Sequence, residues 1–479
     1  MSKDAFETLR FWIKDCVENH PSCSTPASEF PTRVIDVGLA PDDSPRLRIM
    51  RGSAGQYAAL SHCWGGNIPC RMMTDNLKAY QDALPMHDLP RNFLDAIRLT
   101  REIGLRYLWI NAMCIIQDSI EDWTAEAARM ASVYSNARVT ISALDSPGST
   151  HGFLVPRSHK RVNLGQGFVF SELPLDYYQA IEGGLLNTRG WCMQEWALSK
   201  FMLYIGREQM YWECPTITAL EDGIPHDAYY MASPMGFEKA RKTLSLGRPT
   251  SMRDWYTIVT EFNTRDLTFG SDKLPALAGV ASRFGSSKIG GSYVAGLWTE
   301  DILTGIFWLA NNADREFALG LCQPKEPRAP SWSWASIDGK IWFPWRTTPL
   351  HPSLQVLGFD VNVAMDDFAA SRVEGDLKLR GIMAKMRYTP VNRREPGDAI
   401  REGLLDLDGV KFHDLAILDR DRDIRRDCWV LVLREHGADV LLLEEAGEGK
   451  YRRIGCGSGS RELVLHGLDR FSLMDVTII

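Results

Sequence analysis

Three places in the chain bring together side chains that could do chemistry. Cys16, His20 and Cys23 follow a C-x3-H-x2-C spacing. Thiolates and an imidazole are zinc ligands, but a structural zinc takes four, usually in short-spaced pairs. No fourth ligand stands out, so no metal is expected and Cys16 is expected in a helical core stripe. His62 and Cys63 close one apolar segment and Cys114 stands near the end of another. A thiolate beside an imidazole would be a nucleophile. Adjacent side chains on a strand point to opposite faces, however, so His62 is badly placed to activate Cys63. Cys114 is expected to be buried and unreactive, and Cys63 stays open. Glu195 lies in the first turn of a predicted helix, between Trp191 and Trp196. Such an acid can be a surface group favoured by the helix dipole. A half-buried carboxylate beside aromatic rings can instead stabilise a cationic transition state and grip sugar hydroxyls. There is no G-x-S-x-G elbow, no G-x-x-x-x-G-K-[ST] loop and no G-x-G-x-x-G after a strand.

These residues need elements to hold them. Phe6, Leu9, Ile13 and Val17 recur every three or four residues and predict a helix over 1–20. RVIDV and RLRIM read as short strands. YAALSHCW is a short apolar strand running into Gly65-Gly66. A helix opens at Asp88 and Pro90, buries Leu89, Phe93, Ile97 and Ile103, and ends at Gly104. YLWINAMCII (107–116) reads as a strand covered on both faces. Ser119 and Asp122 resemble a capping box for a helix with a Trp123, Ala127, Met130, Tyr134 stripe. RVTISAL (138–144) reads as a strand, and TRGWCMQEWAL (188–198) opens another helix after an insertion with strand-like pieces near 168–170. Alternating strands and helices imply a parallel sheet, with ligands beyond the carboxyl ends of its strands. His62 to Gly66 and Asn111 to Gln117 fall at such ends.

The remainder is mixed. FMLYI and QMYWEC read as strands, RDWYTIVTEF as a helix and APSWSWASIDGKIWF as a Trp-rich hairpin. LQVLGFDV, DLKLRGIMA, CWVLVLRE, DVLLLEE and RELVLH predict a β-rich C-terminal domain. The expected domains are 1–50 (helix and strands packing on the core), 51–200 (the α/β core), 201–345 (an α+β extension) and 346–479. The 479 residues exceed one ordinary core, and 45% hydrophobic with 24% charged residues is a globular composition. A net charge of −7 argues against nucleic-acid backbone binding. The densest charge cluster, LDRDRDIRRD (418–427), alternates in sign and reads as a solvated loop or edge strand. No secretory signal and no membrane-length apolar run is evident, so a cytoplasmic location is expected.

The blocks YAALSHCWGG, LPRNFLDAIRLTREIGLRYLWINAMCIIQD, DWTAEAARMASVYSNARVTISA and TRGWCMQEWALS, in that order, resemble the fungal heterokaryon-incompatibility (HET) domain family. The flanks FWIKDCVENHPSC, PTRVIDV, DLTFGSDKLPALAGVA, YVAGLW and APSWSWAS resemble it too. The resemblance spans residues from about 6 to 345. It implies a role in nonself recognition and programmed cell death. It also implies an α/β fold: a parallel-sheet, flavodoxin-like core similar to the Toll/interleukin-receptor (TIR) domain. W-C-M-Q-E (191–195) looks like the TIR W-C-x-x-E signature, whose glutamate is catalytic in NAD-cleaving members. By that similarity Glu195 is the candidate catalytic carboxylate, with His62 and Asn111 as its catalytic partners. Ser61, Cys63, Trp64, Gly65, Gly66, Cys114, Gln117, Arg189 and Trp191 are the candidate ligand-binding residues. NAD would be a substrate rather than a resident cofactor. Asn111 departs from the family's usual Asp, and His62 from a common Tyr.

Three functions follow as expectations. One is a nucleotide glycohydrolase or nucleotide sensor in cell death. The second is a small-molecule enzyme of specialised metabolism on a HET scaffold, suggested by the altered His62/Asn111 pair. The third is a binding or regulatory module without catalysis, in which Glu195 is a helix-start acid and Arg189 its structural partner. The partner expected is a small molecule or nucleotide, with self-association left open.

Overall fold

The computed structural model describes residues 1–23, 27–40, 42–157, 161–165, 168–171, 174–223, 237–249, 251–310, 323–363, 367, 370–390, 402–407, 410–419, 426–435, 439–458 and 471–479. RELVLH and residues 420–425 of the charge cluster lie outside these. The chain forms two compact units, Met1–Pro249 and Thr250–Ile479.

The first unit is built on an eight-stranded sheet. Its strands are β1 (Arg33–Asp36), β2 (Arg46–Ile49), β3 (Ala58–Ser61), β4 (Tyr107–Ile110), β5 (Val139–Ser142), β6 (Met202–Ile205), β7 (Met210–Glu213) and β8 (Thr218–Leu220). Across the sheet they run β8-β7-β6-β5-β3-β4-β1-β2. The four central strands are parallel, and the outer pairs on each side join antiparallel. Every residue of β3, β5, β6 and β7 is buried, as expected of strands covered on both faces. FMLYI and QMYWEC thus extend the sheet that YAALSHCW begins.

Helix α1 (Lys3–Asn19) starts at Ser2, whose hydroxyl accepts from the Ala5 amide at 3.1 Å. Its buried stripe is Phe6, Leu9, Trp12 and Cys16. Val17, expected in that stripe, is 49% exposed, and Ile13 is only half-buried. A helix turns one stripe toward its neighbour, and here it is the one carrying Trp12. Helix α2 (Arg91–Glu102) buries Phe93, Ala96, Ile97 and Thr100. Gly104 follows it at φ +77°, a backbone that favours glycine.

Two expectations fail between residues 107 and 136. The apolar run 107–116 is not one strand: β4 ends at Ile110, and Asn111–Cys114 is a helical turn. Apolarity alone cannot separate a buried strand from a buried helical turn. The following helix is two, α3 (Ile120–Ala127) and α4 (Met130–Asn136). Met130 and Tyr134 are buried while Trp123 is 46% exposed. Ser119 caps α3 by accepting from the Asp122 amide at 3.2 Å. Asp122 does not complete a capping box, because Arg33 claims its carboxylate. The buried Arg33 guanidinium bonds both Asp122 oxygens at 2.5–3.0 Å and the Cys114 carbonyl at 2.8 Å. Asp122 also accepts from the Ile116 amide at 2.8 Å. This pair ties the 114–122 segment to β1.

Helix α5 (Cys192–Leu198) has all seven residues buried, and α6 (Phe237–Ser245) packs beside it. In the second unit, α7 (Met252–Phe262) carries a capping box from Ser251 and Asp254. The Trp-rich stretch is not a hairpin. Trp334 lies in a 3-10 turn, and Ile341–Trp342 pairs with Leu309–Ala310. Trp332 and Trp334 are fully buried, their indole N–H groups donating to the carbonyls of Gly375 and Gly296 at 3.3 and 2.9 Å. The C-terminal part is β-rich, as expected. Its strands are β9 (Gln355–Val361), β10 (Gly375–Pro390), β11 (Glu402–Leu407), β12 (Val410–Leu418), β13 (Arg426–Val432), β14 (Asp439–Gly447), β15 (Lys450–Ser458) and β16 (Ser472–Ile478). The ladder β10-β11-β12-β15-β14-β13 returns to β10, closing on itself. No helix among the described residues is long and apolar enough to cross a membrane.

Asp122→Ala removes the carboxylate that Arg33 hydrogen-bonds and leaves the buried charge only Glu126, at 3.9 Å. A loss of about 3–5 kcal/mol is expected on breaking such a pair, measured as the shift in urea unfolding free energy of the full chain. A change below about 1 kcal/mol, the usual worth of an exposed pair, would contradict this role.

Candidate functional site

The parallel register decides which residues share a sheet end. Leu60 pairs with Ile110, and Ser61 with Ser142. Ser61, Asn111 and the loop after β3 therefore sit together at the carboxyl ends of the central strands. Glu195 reaches the same place from α5. Its carboxylate accepts a hydrogen bond from the Ser61 hydroxyl. The Tyr134 hydroxyl, the Cys192 thiol and the Arg189 charge surround the same group. Glu195 is only 9% exposed. Burial raises its carboxyl above the usual carboxylate range, against the lowering effect of Ser61 and Arg189. Arg189 also stands beside the Cys63 thiol. Burial raises that thiol, and Arg189 only partly offsets the effect. Cys63 is therefore no ready nucleophile at neutral pH.

His62 does not join Glu195. Its ring meets Phe93 of α2 edge-on at 5.3 Å, whereas Ser61 beside it meets α5. His62 is fully enclosed, and burial, aided by the Arg189 charge, pushes its pKa down to about 3. It is neutral at pH 7. Its Nε2 has no hydrogen-bond partner among the described residues. Asn111 opens the helical turn at the end of β4 and is half-buried.

Several candidate ligand-binding residues are engaged within the fold. Cys114 is fully buried in the helical turn rather than at a strand end, and burial pushes its thiol up to about 12. The Gln117 amide is spent on the carbonyls of Asn111 and Ile115 at 3.2 and 2.9 Å. Trp64 and Trp191 are half-buried against the main core. The Trp64 carbonyl accepts from the Ser149 amide and hydroxyl at 3.1 and 3.0 Å. Gly65 and Gly66 are exposed, with φ +70° and +127°. A Cβ on Gly65 would lie 2.5 Å from the Gly148 Cα, so these two loops touch through their backbones.

Sequence reasoning missed Tyr134 and Cys192 as neighbours of Glu195, and Ser61 as its direct donor. It also missed Cys214, which joins Cys16, His20 and Cys23 and supplies the fourth position lacking in the sequence.

The two buried titratable groups give opposite pH slopes. The folded pKa of His62 lies below its unfolded value near 6.5, so its effect is a loss of stability as pH falls from about 6.5 toward 3. The folded pKa of Glu195 is raised, so stability falls as pH rises from about 4.3 through the folded value. Unfolding midpoints across pH should show Glu195→Gln abolishing the second slope and His62→Phe the first. Parallel curves for Glu195→Gln and the wild type would show that the carboxyl is not held in a desolvated state.

Residues 57–195 match the family model described as Heterokaryon incompatibility protein (HET). No curated protein and no solved structure matches the chain significantly. The stretch that carries the heterokaryon-incompatibility (HET) match therefore runs from Tyr57, at the central strand, to Glu195, the carboxylate at its end.

Proposed function

We propose that this HET-domain protein acts in fungal nonself recognition and cell death by cleaving the nicotinamide glycosidic bond of NAD, with Glu195 as the catalytic carboxylate. The observation that carries the reading is the position of Glu195: a desolvated carboxylate held by Ser61 at the carboxyl end of the central parallel strand. Numbered along the chain, the parallel strands stand in the order 2-1-3-4. That is the order of flavodoxin-like sheets, whose ligands bind at this end, and it supports the TIR-like assignment. The nicotinamide of NAD is already a cationic leaving group and needs no general acid. Its C–N bond breaks with the electron pair going to nicotinamide, and water adds to the oxocarbenium-like ribose, releasing a proton. The ionised Glu195 offsets the developing positive charge. Arg189, beside that carboxylate, favours its ionised form.

A second reading has its own support. Glu195 is more than nine-tenths buried, and its hydrogen bond to Ser61 ties α5 to β3. In a module without catalysis that tie is the whole role of the residue.

Incubation of the purified full chain with NAD separates the two. Nicotinamide release is expected from the wild type and a loss of at least 100-fold from a folded Glu195→Gln variant, the scale of removing a key electrostatic group. Equal background release from both would end the glycohydrolase reading and leave the module.

A further inference from the structure

Far from Glu195, at the amino ends of the parallel strands, four metal-ligating side chains converge. Cys16 comes from the last turn of α1, His20 from the residue that closes it, and Cys23 from the 3-10 turn Pro21–Cys23. Cys214 follows β7 directly, some 190 residues away along the chain. One ligand atom from each lies within 4.8 Å of all the others. The three cysteines are fully buried, and the His20 side chain is 11% exposed.

We infer that Cys16, His20, Cys23 and Cys214 form a structural zinc site of Cys3His type. The spacing fits the ion. Zinc bonds of about 2.3 Å to sulfur and 2.0–2.1 Å to nitrogen make a tetrahedron with edges of about 3.5–3.8 Å. His20 Nδ1 stands 3.6 Å from Cys214 Sγ, the length of such an edge. The surroundings complete the site. Cys214 Sγ accepts from the amides of Thr216 and Ile217 at 3.4 and 3.2 Å, which favours a thiolate. The other His20 nitrogen, Nε2, faces an Asp15 carboxylate oxygen at 3.7 Å. A carboxylate behind a ligating imidazole fixes its orientation and raises its basicity. A disulfide explains the cluster less well, since it would use two sulfurs and leave the third thiol and the imidazole without a purpose. Four protein ligands leave no open position, so the role is structural: the ion staples α1 and the turn after it to the β7–β8 edge of the sheet.

The full chain, expressed with zinc and purified under reducing conditions, should carry about one zinc per molecule by mass spectrometry. Cobalt substitution should give the intense visible bands of a tetrahedral ion together with thiolate charge-transfer absorption. Chelation should lower the unfolding temperature. Cys214→Ser should lose the metal. His20→Cys, which keeps four ligands, should retain it, and this guards against a Cys214→Ser chain that does not fold. Folded wild type that holds no zinc and gives no cobalt spectrum overturns the site. So does a native disulfide among the three cysteines, or a folded Cys214→Ser variant with undiminished zinc.

Discussion

One buried ion pair fixes the helix that carries Glu195. Arg241 of α6 is fully enclosed and pairs with Glu213 at the end of β7. The other Glu213 oxygen accepts from the hydroxyls of Tyr177 and Tyr204 at 2.6 and 3.0 Å. The rest of the guanidinium donates to the carbonyls of Trp196 and Ser199, both at 3.1 Å. The end of a short helix leaves carbonyls without partners, and here a cation satisfies two of them. A charge this deep is tolerated only when fully paired, so the arrangement admits little variation. The position of α5, and of its carboxylate, is therefore set from outside residues 57–195 by a side chain 45 residues beyond Trp196.

The central strand is the second determinant. β3 lies between two parallel neighbours and buries all four of its residues. Its register brings Ser61 level with the start of the Asn111 turn on one side and with Ser142 on the other. Ser61 and His62 then diverge, one toward α5 and one toward α2, and the two faces of the sheet acquire different chemistry. A desolvated glutamate bonded to Ser61 lies on one side. A neutral imidazole packs against an aromatic ring on the other.

Much of this could be read from local pattern. β3 and β5 are short apolar runs bounded by turn residues, and α2 has a proline at its start and a glycine after its end. One boundary failed where apolarity was continuous, and another where a single stripe ran across two helices. Residues 107–116 gave no periodic cue that the chain turns helical at Asn111, and Trp123 shared a stripe with Met130 and Tyr134 only on the assumption of one continuous helix. The Glu195 neighbourhood was legible only in outline. The rule that ligands gather at strand carboxyl ends pointed to residues 61–66, but nothing local couples Ser61 to a carboxylate 134 residues later. Cys214 was invisible for the same reason. A cysteine after a strand acquires meaning only when the sheet brings α1 beside it.

The backbone contact between Gly65 and Gly148 has a mechanical consequence. With no side chain at either position and the Trp64 carbonyl held twice by Ser149, the loops after β3 and β5 form a single rim around one side of the sheet end. Neither loop can shift without dragging the other. Whatever presses on the exposed glycines at 65 and 66 is felt at the mouth of a strand 80 residues further along the chain, so this edge of the domain responds as one rigid lip rather than as two independent fingers.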